Sequence, residues 1–358
     1  MKEDKIYFTA LTGLRAIAAY MVFLMHYNPF SEIRDGFFFN FFSQFYTGVS
    51  VFFVLSGFLI TYRYFIDANL TFLWFKRYIK NRIARIYPLY FILTLVTFIF
   101  TIYGNTDNGF SFLEVLKHEF ILFLLNITLL RGFFEDYLFS MVGQGWSLTV
   151  EETFYLLTPF IWHLRGKVNL FIVLVFLLFL GYILVIFGDM FPLNGFFESD
   201  VFMLKFTFFG RAFQFAMGII LGYYALSKKE ELIKNMTYIG LLICLISILI
   251  LSFIWKNSNI YLAIFVDNVV LSLGVAFLIY GLIKEETILS KLLSNRLLQL
   301  LGKSSYAFYL IHVGFIPDLL LQMNITNVFL QFVLLNVFSI LLYKLVETPM
   351  RLIILRIK

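Results

Sequence analysis

Apolar residues in this chain run together in stretches long enough to cross a bilayer. A hydrocarbon core about 30 Å thick takes roughly 20 helical residues. Ten such runs occupy 10–29, 46–62, 86–104, 146–163, 168–188, 205–226, 236–255, 260–283, 304–321 and 327–346. An eleventh, 119–130, is too short to cross and reads as a re-entrant or interfacial helix. The expected fold class is an all-α integral membrane protein, about ten transmembrane helices plus that one short helix. A single membrane domain over 1–358 is expected, with no fused soluble domain, no internal repeat and no low-complexity linker.

Charge fixes an orientation on that pattern. With the N-terminus in the cytoplasm, 21 of the 28 Lys and Arg residues fall in inner segments, among them Arg63 to Arg85, Lys284 to Lys303 and Lys344 to Lys358. Counting 119–130 as a full crossing would place 189–204 inside, a segment with Asp189, Glu198 and Asp200 but no Lys or Arg. Ten crossings in the cytoplasmic membrane, with both termini inside, satisfy the positive-inside rule.

Composition agrees. The chain is 61% hydrophobic and only 14% charged, against about 25% charged in soluble domains. A net charge of +6 would suggest nucleic acid in a soluble chain; here the cations act as orientation signals, so the expected partner is membrane lipid and not nucleic acid. The single cysteine, Cys244, provides neither a disulfide nor a Cys-rich metal site, and no metal is expected. The first apolar run contains Arg15 and continues into Asn28-Pro29-Phe30, which is not a signal-peptide cleavage pattern.

Ionisable residues inside apolar runs are costly and mark function or structural pairing. The informative ones are Arg15, His26, Glu151, Glu152, Arg211, Asp267 and His312, with Arg82 and Arg85 at an inner boundary. At about 1.5 Å rise per residue, Arg15 lies about 8 Å from the inner surface, His312 about 12 Å, Glu151 about 22 Å and His26 about 24 Å. Arg15 and His26, eleven residues apart, leave one helix face, since that spacing is three turns plus roughly 20°. The alternative for this pair is that Arg15 snorkels and His26 hydrogen-bonds at the outer interface. Ser147, Glu151 and Tyr155 recur every fourth residue on one face. A carboxylate at the depth of an imidazole would orient it and raise its basicity, as a general base near neutral pH requires. The structural alternative for Glu151 and Glu152 is that they complement a helix N-terminus, a reading that suits Glu152 better, so Glu151 is the candidate for chemistry. Arg82 and Arg85, at i and i+3, form a fork pair suited to phosphate oxygens, although a basic cytoplasmic loop beside anionic lipid is expected of any membrane protein. Arg211 and Asp267 should share a depth and form a buried ion pair holding two helices. His312 serves either core hydrogen bonding or the lining of an acyl path. Gly48 and Ser56-Gly57 permit close helix approach.

In their order along the chain these residues resemble acyltransferase family 3, a family of integral membrane acyltransferases. The resemblance is carried by Leu11-Thr12-Gly13-Leu14-Arg15 with His26 eleven residues after the arginine, and by Gly48 to Ile60. It continues in Arg82-x-x-Arg85-x-x-Pro88, Trp146-Ser147-Leu148-x-x-Glu151-Glu152, Ser305-Tyr306-x-x-Tyr309-Leu310-x-His312 and Glu347-Thr348-Pro349. One departure is Thr12, where the family often carries Asp. The resemblance implies transfer of an acyl group, usually acetyl, from cytoplasmic acyl-CoA to a hydroxyl of an extracytoplasmic glycan. It implies a catalytic His26, Arg15 as its paired motif residue, and donor binding by Arg82 and Arg85.

Both arguments join in an acyltransferase whose polar trail runs from Arg82 and Arg85 through Arg15 and His312 to His26 and Glu151. His26 acts as general base or acyl carrier; the choice is open at this level. The competing class is a transporter or flippase whose buried charges line a translocation path, and the absence of repeats and of paired broken helices stands against it.

Overall fold

The computed structural model describes residues 7–33, 36–107, 111–191, 193–227, 233–254 and 259–357. Of the charges that orient the chain, Lys2, Lys5, Arg34, Lys228, Lys229, Lys256 and Lys358 lie outside these residues. The described residues form helices without strands, apart from one antiparallel bridge between Phe134 and Phe196. The chain packs as two compact units, described separately here.

Eight helices among the described residues are long and apolar enough to cross a membrane, and a bent pair makes a ninth. Ten apolar runs differ from that count at two places. The predicted crossing 304–321 breaks into Arg296–Ile311 and Phe315–Gln322, bent by 78°, with Gly314 at φ +91 in the break. The Trp146–Leu164 helix forms as predicted, but Glu151 and Glu152 sit in its first half, and it does not meet the composition of a lipid-facing span. The predicted short helix at 119–130 is the 16-residue Phe112–Ile127. Pro88, expected to open a crossing, lies inside the continuous 36-residue helix Phe72–Asp107, as membrane helices tolerate. Much of the basic 63–85 segment is thereby helical.

The first unit comprises Met1–Ala68, Leu164–Leu174 and Arg211–Tyr306. Here the Thr9–His26 helix packs on Gly48–Tyr64, and Met236–Ile254 packs on Ser272–Lys284. Lipid gives helices no hydrophobic reason to associate, so close backbone approach supplies the attraction. Gly57 and Gly218 show this reciprocally: a Cβ on Gly57 would run into the Phe215 carbonyl, and one on Gly218 into that of Val54.

A polar network closes the same unit. Arg211 Nη1 donates to Asp267 Oδ2 at 2.8 Å and to Ser50 Oγ at 3.3 Å, while the Ser50 hydroxyl donates to Asp267 Oδ1 at 2.7 Å. Gln214 Nε2 donates to Ser50 Oγ at 3.1 Å and to Asn268 Oδ1 at 3.0 Å. Asp267 and Asn268 lie in a π-helical stretch, Val266–Leu271, whose wider turn sends two successive polar side chains to adjacent partners. The ion pair expected from depth alone is present, and it is buried to 4% side-chain exposure on each partner.

The second unit comprises Asn69–His163, Val175–Gly210 and Ala307–Lys358. The Phe72–Asp107 helix packs against Phe112–Ile127 and Thr348–Arg356. Two loops join through Glu135 N–H donating to the Gly195 carbonyl at 2.8 Å and Phe197 N–H to the Phe133 carbonyl at 3.0 Å, with the rings of Phe133 and Phe197 stacked at 5.7 Å. Burial, then the charges of Glu198 and Asp136, push the Glu135 carboxyl above the usual carboxylate range.

Two outcomes follow from these contacts. Arg211→Ala and Asp267→Ala should each lower stability by about 3–5 kcal/mol, because each leaves a buried charge behind; thermal melts of detergent-purified protein measure it, and parent-like melting of either variant would contradict a structural pair. A carboxyl raised on folding favours its protonated form in the fold, so its stabilising contribution is present at low pH and lost as pH rises through the raised value. Hydrogen-exchange protection of the Glu135 and Phe197 amides, corrected for intrinsic exchange, should therefore fall from pH 4 to pH 7, and Glu198→Gln should flatten that fall.

Candidate active site

In the first unit, Arg15 and His26 lie on the Thr9–His26 helix, separated by about 16 Å of rise. Arg15 is half-buried. His26 is the last helical residue and an exposed one. The chain after it is tied down by the buried Asn28, whose Nδ2 donates to the Phe39 carbonyl at 2.9 Å and to Ser43 Oγ at 3.2 Å, while its Oδ1 accepts from Phe30 N–H at 3.0 Å. At the other end of the helix, Thr12, the departure from the family pattern, shares a hydrogen bond with Tyr7 at 2.9 Å.

In the second unit, the sequence-predicted residues gather along one helix. Arg82 is buried, and its guanidinium carbon lies 5.7 Å above the Tyr155 ring. The Tyr155 hydroxyl donates to Glu151 Oε1, its partner one turn earlier. Arg85 is within electrostatic range of Tyr155, and Arg82 within range of Glu152 as well. The fork pair read as phosphate-binding therefore lies beside Tyr155, whose hydroxyl holds the one carboxylate read as catalytic, Glu151. Tyr155 was legible as a member of the every-fourth-residue face and of the motif that runs from Trp146 through Phe154-Tyr155, without a role assigned to it.

Further along that face, Ser147 Oγ and Tyr309 Oη share a hydrogen bond at 3.0 Å, and Ser147 donates to the Gln144 carbonyl at 3.0 Å. His312 is fully buried. Its Nδ1 lies 2.8 Å from the Tyr309 carbonyl, so Nδ1 carries the proton, and its ring lies parallel to Phe308. The core hydrogen-bonding role is thus present; His312 anchors the motif that carries Tyr309. His26 and Arg15 fall in one unit, and Glu151, Arg82, Arg85, Ser147 and His312 in the other. Among the described residues no group of three or more His, Cys, Asp or Glu could hold a metal ion.

Arg131, one of the Lys and Arg residues outside the 21 in inner segments, lies between apolar runs and has no feature in the sequence that marks it. The structure buries it completely, with its guanidinium donating to the carbonyls of Ser140 and Val142 and with Tyr90 and Tyr309 in electrostatic range. It organises the loop that delivers Gln144 and Ser147 to the start of the Trp146–Leu164 helix.

A family model described as an acyltransferase domain matches residues 8–345. The chain belongs to acyltransferase family 3. Peptidoglycan O-acetyltransferase OatA of Listeria monocytogenes is 27% identical over 98% of this chain, and O-acetyltransferase OatA of Staphylococcus aureus is 26% identical over 96%. The chain spans 57% of the length of these curated relatives. No solved structure matches it.

The packing about Arg131 allows no side chain at Gly145, where a Cβ would run into Arg131 Nη2 and the Tyr90 ring. Gly145→Ala should therefore lower the melting temperature and the yield of folded protein, as overpacking costs typically about 1–3 kcal/mol; parent-like melting would mean the loop can shift freely.

Proposed function

We propose that this protein transfers an acyl group, acetyl first among them, from cytoplasmic acyl-CoA to a hydroxyl of an extracytoplasmic glycan. Family membership over nearly the whole chain carries the reading, and the O-acetyltransferase relatives support the acetyl group and a glycan acceptor. The orientation adopted, in the cytoplasmic membrane with both termini inside, is the one the lysines and arginines favour.

In this reading Arg82 and Arg85 hold the donor's phosphates. Arginine suits that task because its planar fork donates bidentately and stays charged, and stacking on Tyr155 limits the motion of the Arg82 fork. His26 works in one of two ways. As base, it accepts the proton of the glycan hydroxyl while the hydroxyl oxygen attacks the thioester carbonyl; a C–O bond forms, the C–S bond breaks, and the thiolate takes up the proton to leave as the CoA thiol. As carrier, the imidazole attacks first, releasing the thiol, and the glycan hydroxyl then displaces it from the acyl group. The depth reading assigns Glu151 as the carboxylate that orients the imidazole, with Tyr155 holding Glu151 in turn.

The deciding experiment compares acyl content of surface glycans in cells carrying the parent gene, His26→Ala or no gene. His26→Ala should match the deletion while membrane levels stay normal, and Glu151→Gln should reduce transfer strongly with donor binding intact. Arg82→Lys keeps the charge but loses the fork, so donor affinity should fall about tenfold. Parent-like transfer by purified His26→Ala would overturn the assignment of His26.

A further inference from the structure

The Ser147, Glu151 and Tyr155 face of the Trp146–Leu164 helix is about 12 Å long from first to last, at 1.5 Å per residue. Its two ends differ in chemistry. At the Tyr155 end stand Arg82 and Arg85, both within electrostatic range of that phenol. At the Ser147 end stand two hydroxyls whose hydrogen bonds are redundant: Ser147 Oγ and Tyr309 Oη each reach the Gln144 carbonyl, at 3.0 and 3.3 Å, and each reaches the other at 3.0 Å. One proton satisfies that carbonyl. The second can turn to a ligand without leaving a buried acceptor bare.

Two further observations point to a ligand at this end. Gln144, only 6% exposed, donates through Nε2 to the Val313 carbonyl at 3.2 Å, while its buried Oε1 has no partner among the described residues. A buried acceptor left bare is costly and asks for an N–H donor. Arg131, within electrostatic range of Tyr309, is a fully buried cation with no carboxylate partner among the described residues. Positive charge fixed behind a hydroxyl strengthens its hydrogen bond to an oxygen that carries or gains negative charge.

We propose that this face seats the extended arm of the acyl donor, with one of the Ser147 and Tyr309 hydroxyls donating to its thioester carbonyl while the other holds the Gln144 carbonyl, and with Gln144 Oε1 accepting from a neighbouring amide N–H. The pattern matches the arm's chemistry: anionic phosphates at the arginine end, uncharged amides along the middle, a polarisable carbonyl at the tip. Glu151, half-buried, lies on the same face along the stretch where the arm presents amide N–H groups, and its oxygens are acceptors suited to them. This inference rests on acyl-CoA being the donor.

The test titrates the full chain in lipid nanodiscs with acetyl-CoA and with adenosine 3′,5′-bisphosphate, which carries phosphates but no arm. The parent should bind acetyl-CoA more tightly than the bisphosphate. Tyr309→Phe and Ser147→Ala, each losing one hydroxyl, should weaken acetyl-CoA about tenfold, the size of one hydrogen bond near the upper end of the usual range, and leave bisphosphate affinity unchanged. Arg82→Lys should weaken both ligands. Parent-like acetyl-CoA affinity in both hydroxyl variants would overturn the seat, as would an equal loss of both ligands in each, which marks a structural role. If the parent binds neither compound, the donor reading fails and the inference with it; if the parent binds both and only the hydroxyl variants behave like the parent, the seat alone fails.

Discussion

Hydrocarbon offers no hydrogen bonds, so a polar side chain carried into a membrane helix bundle is stable only beside a protein partner. The first unit meets this demand in one network. Asp267 would be an uncompensated buried charge without Arg211 and Ser50, and Gln214 extends the same chain of bonds to Asn268. Three segments far apart in sequence are held by it, and the helix through Val266–Leu271 adopts a π turn where they meet. The pairing holds helices in register while the Thr9–His26 helix, in the same unit, presents Arg15 and His26.

The second unit meets the demand differently. Arg131 is surrounded by carbonyl oxygens and tyrosine rings, with no carboxylate partner among the described residues. Its role is to fold a loop of non-helical backbone against the start of the Trp146–Leu164 helix, where Gly145 leaves it room. That helix is the least lipid-like of the long ones, because one face is given to Ser147, Glu151 and Tyr155. A helix so placed trades apolar surface for a row of polar groups, the exchange expected where a polar ligand has to be held inside a membrane protein.

The helical class, the position of most apolar runs and the short helix near 119–130 were legible from local composition, because the length of an apolar run depends only on consecutive residues. The Arg211–Asp267 pair was also legible, since equal depth in two runs is a local property of each. Run length could not reveal the 78° break after Ile311, which depends on the positive φ of Gly314, nor that Pro88 would lie within a continuous helix.

For the site, the sequence by itself determined the residue types and their spacing: His26 eleven residues after Arg15, Arg82 and Arg85 on one face, Ser147, Glu151 and Tyr155 at four-residue intervals. Periodicity along a helix is enough for that. Only the tertiary structure decided that Arg82 stacks on Tyr155, that Tyr155 rather than a distant group donates to Glu151, and that Ser147 meets Tyr309 across 162 residues of chain. It also turned Arg131 from a loop charge into a buried organiser. The physical reason is the same in each case: which faces of two helices meet is set by packing between segments remote in sequence, and no local pattern encodes that choice.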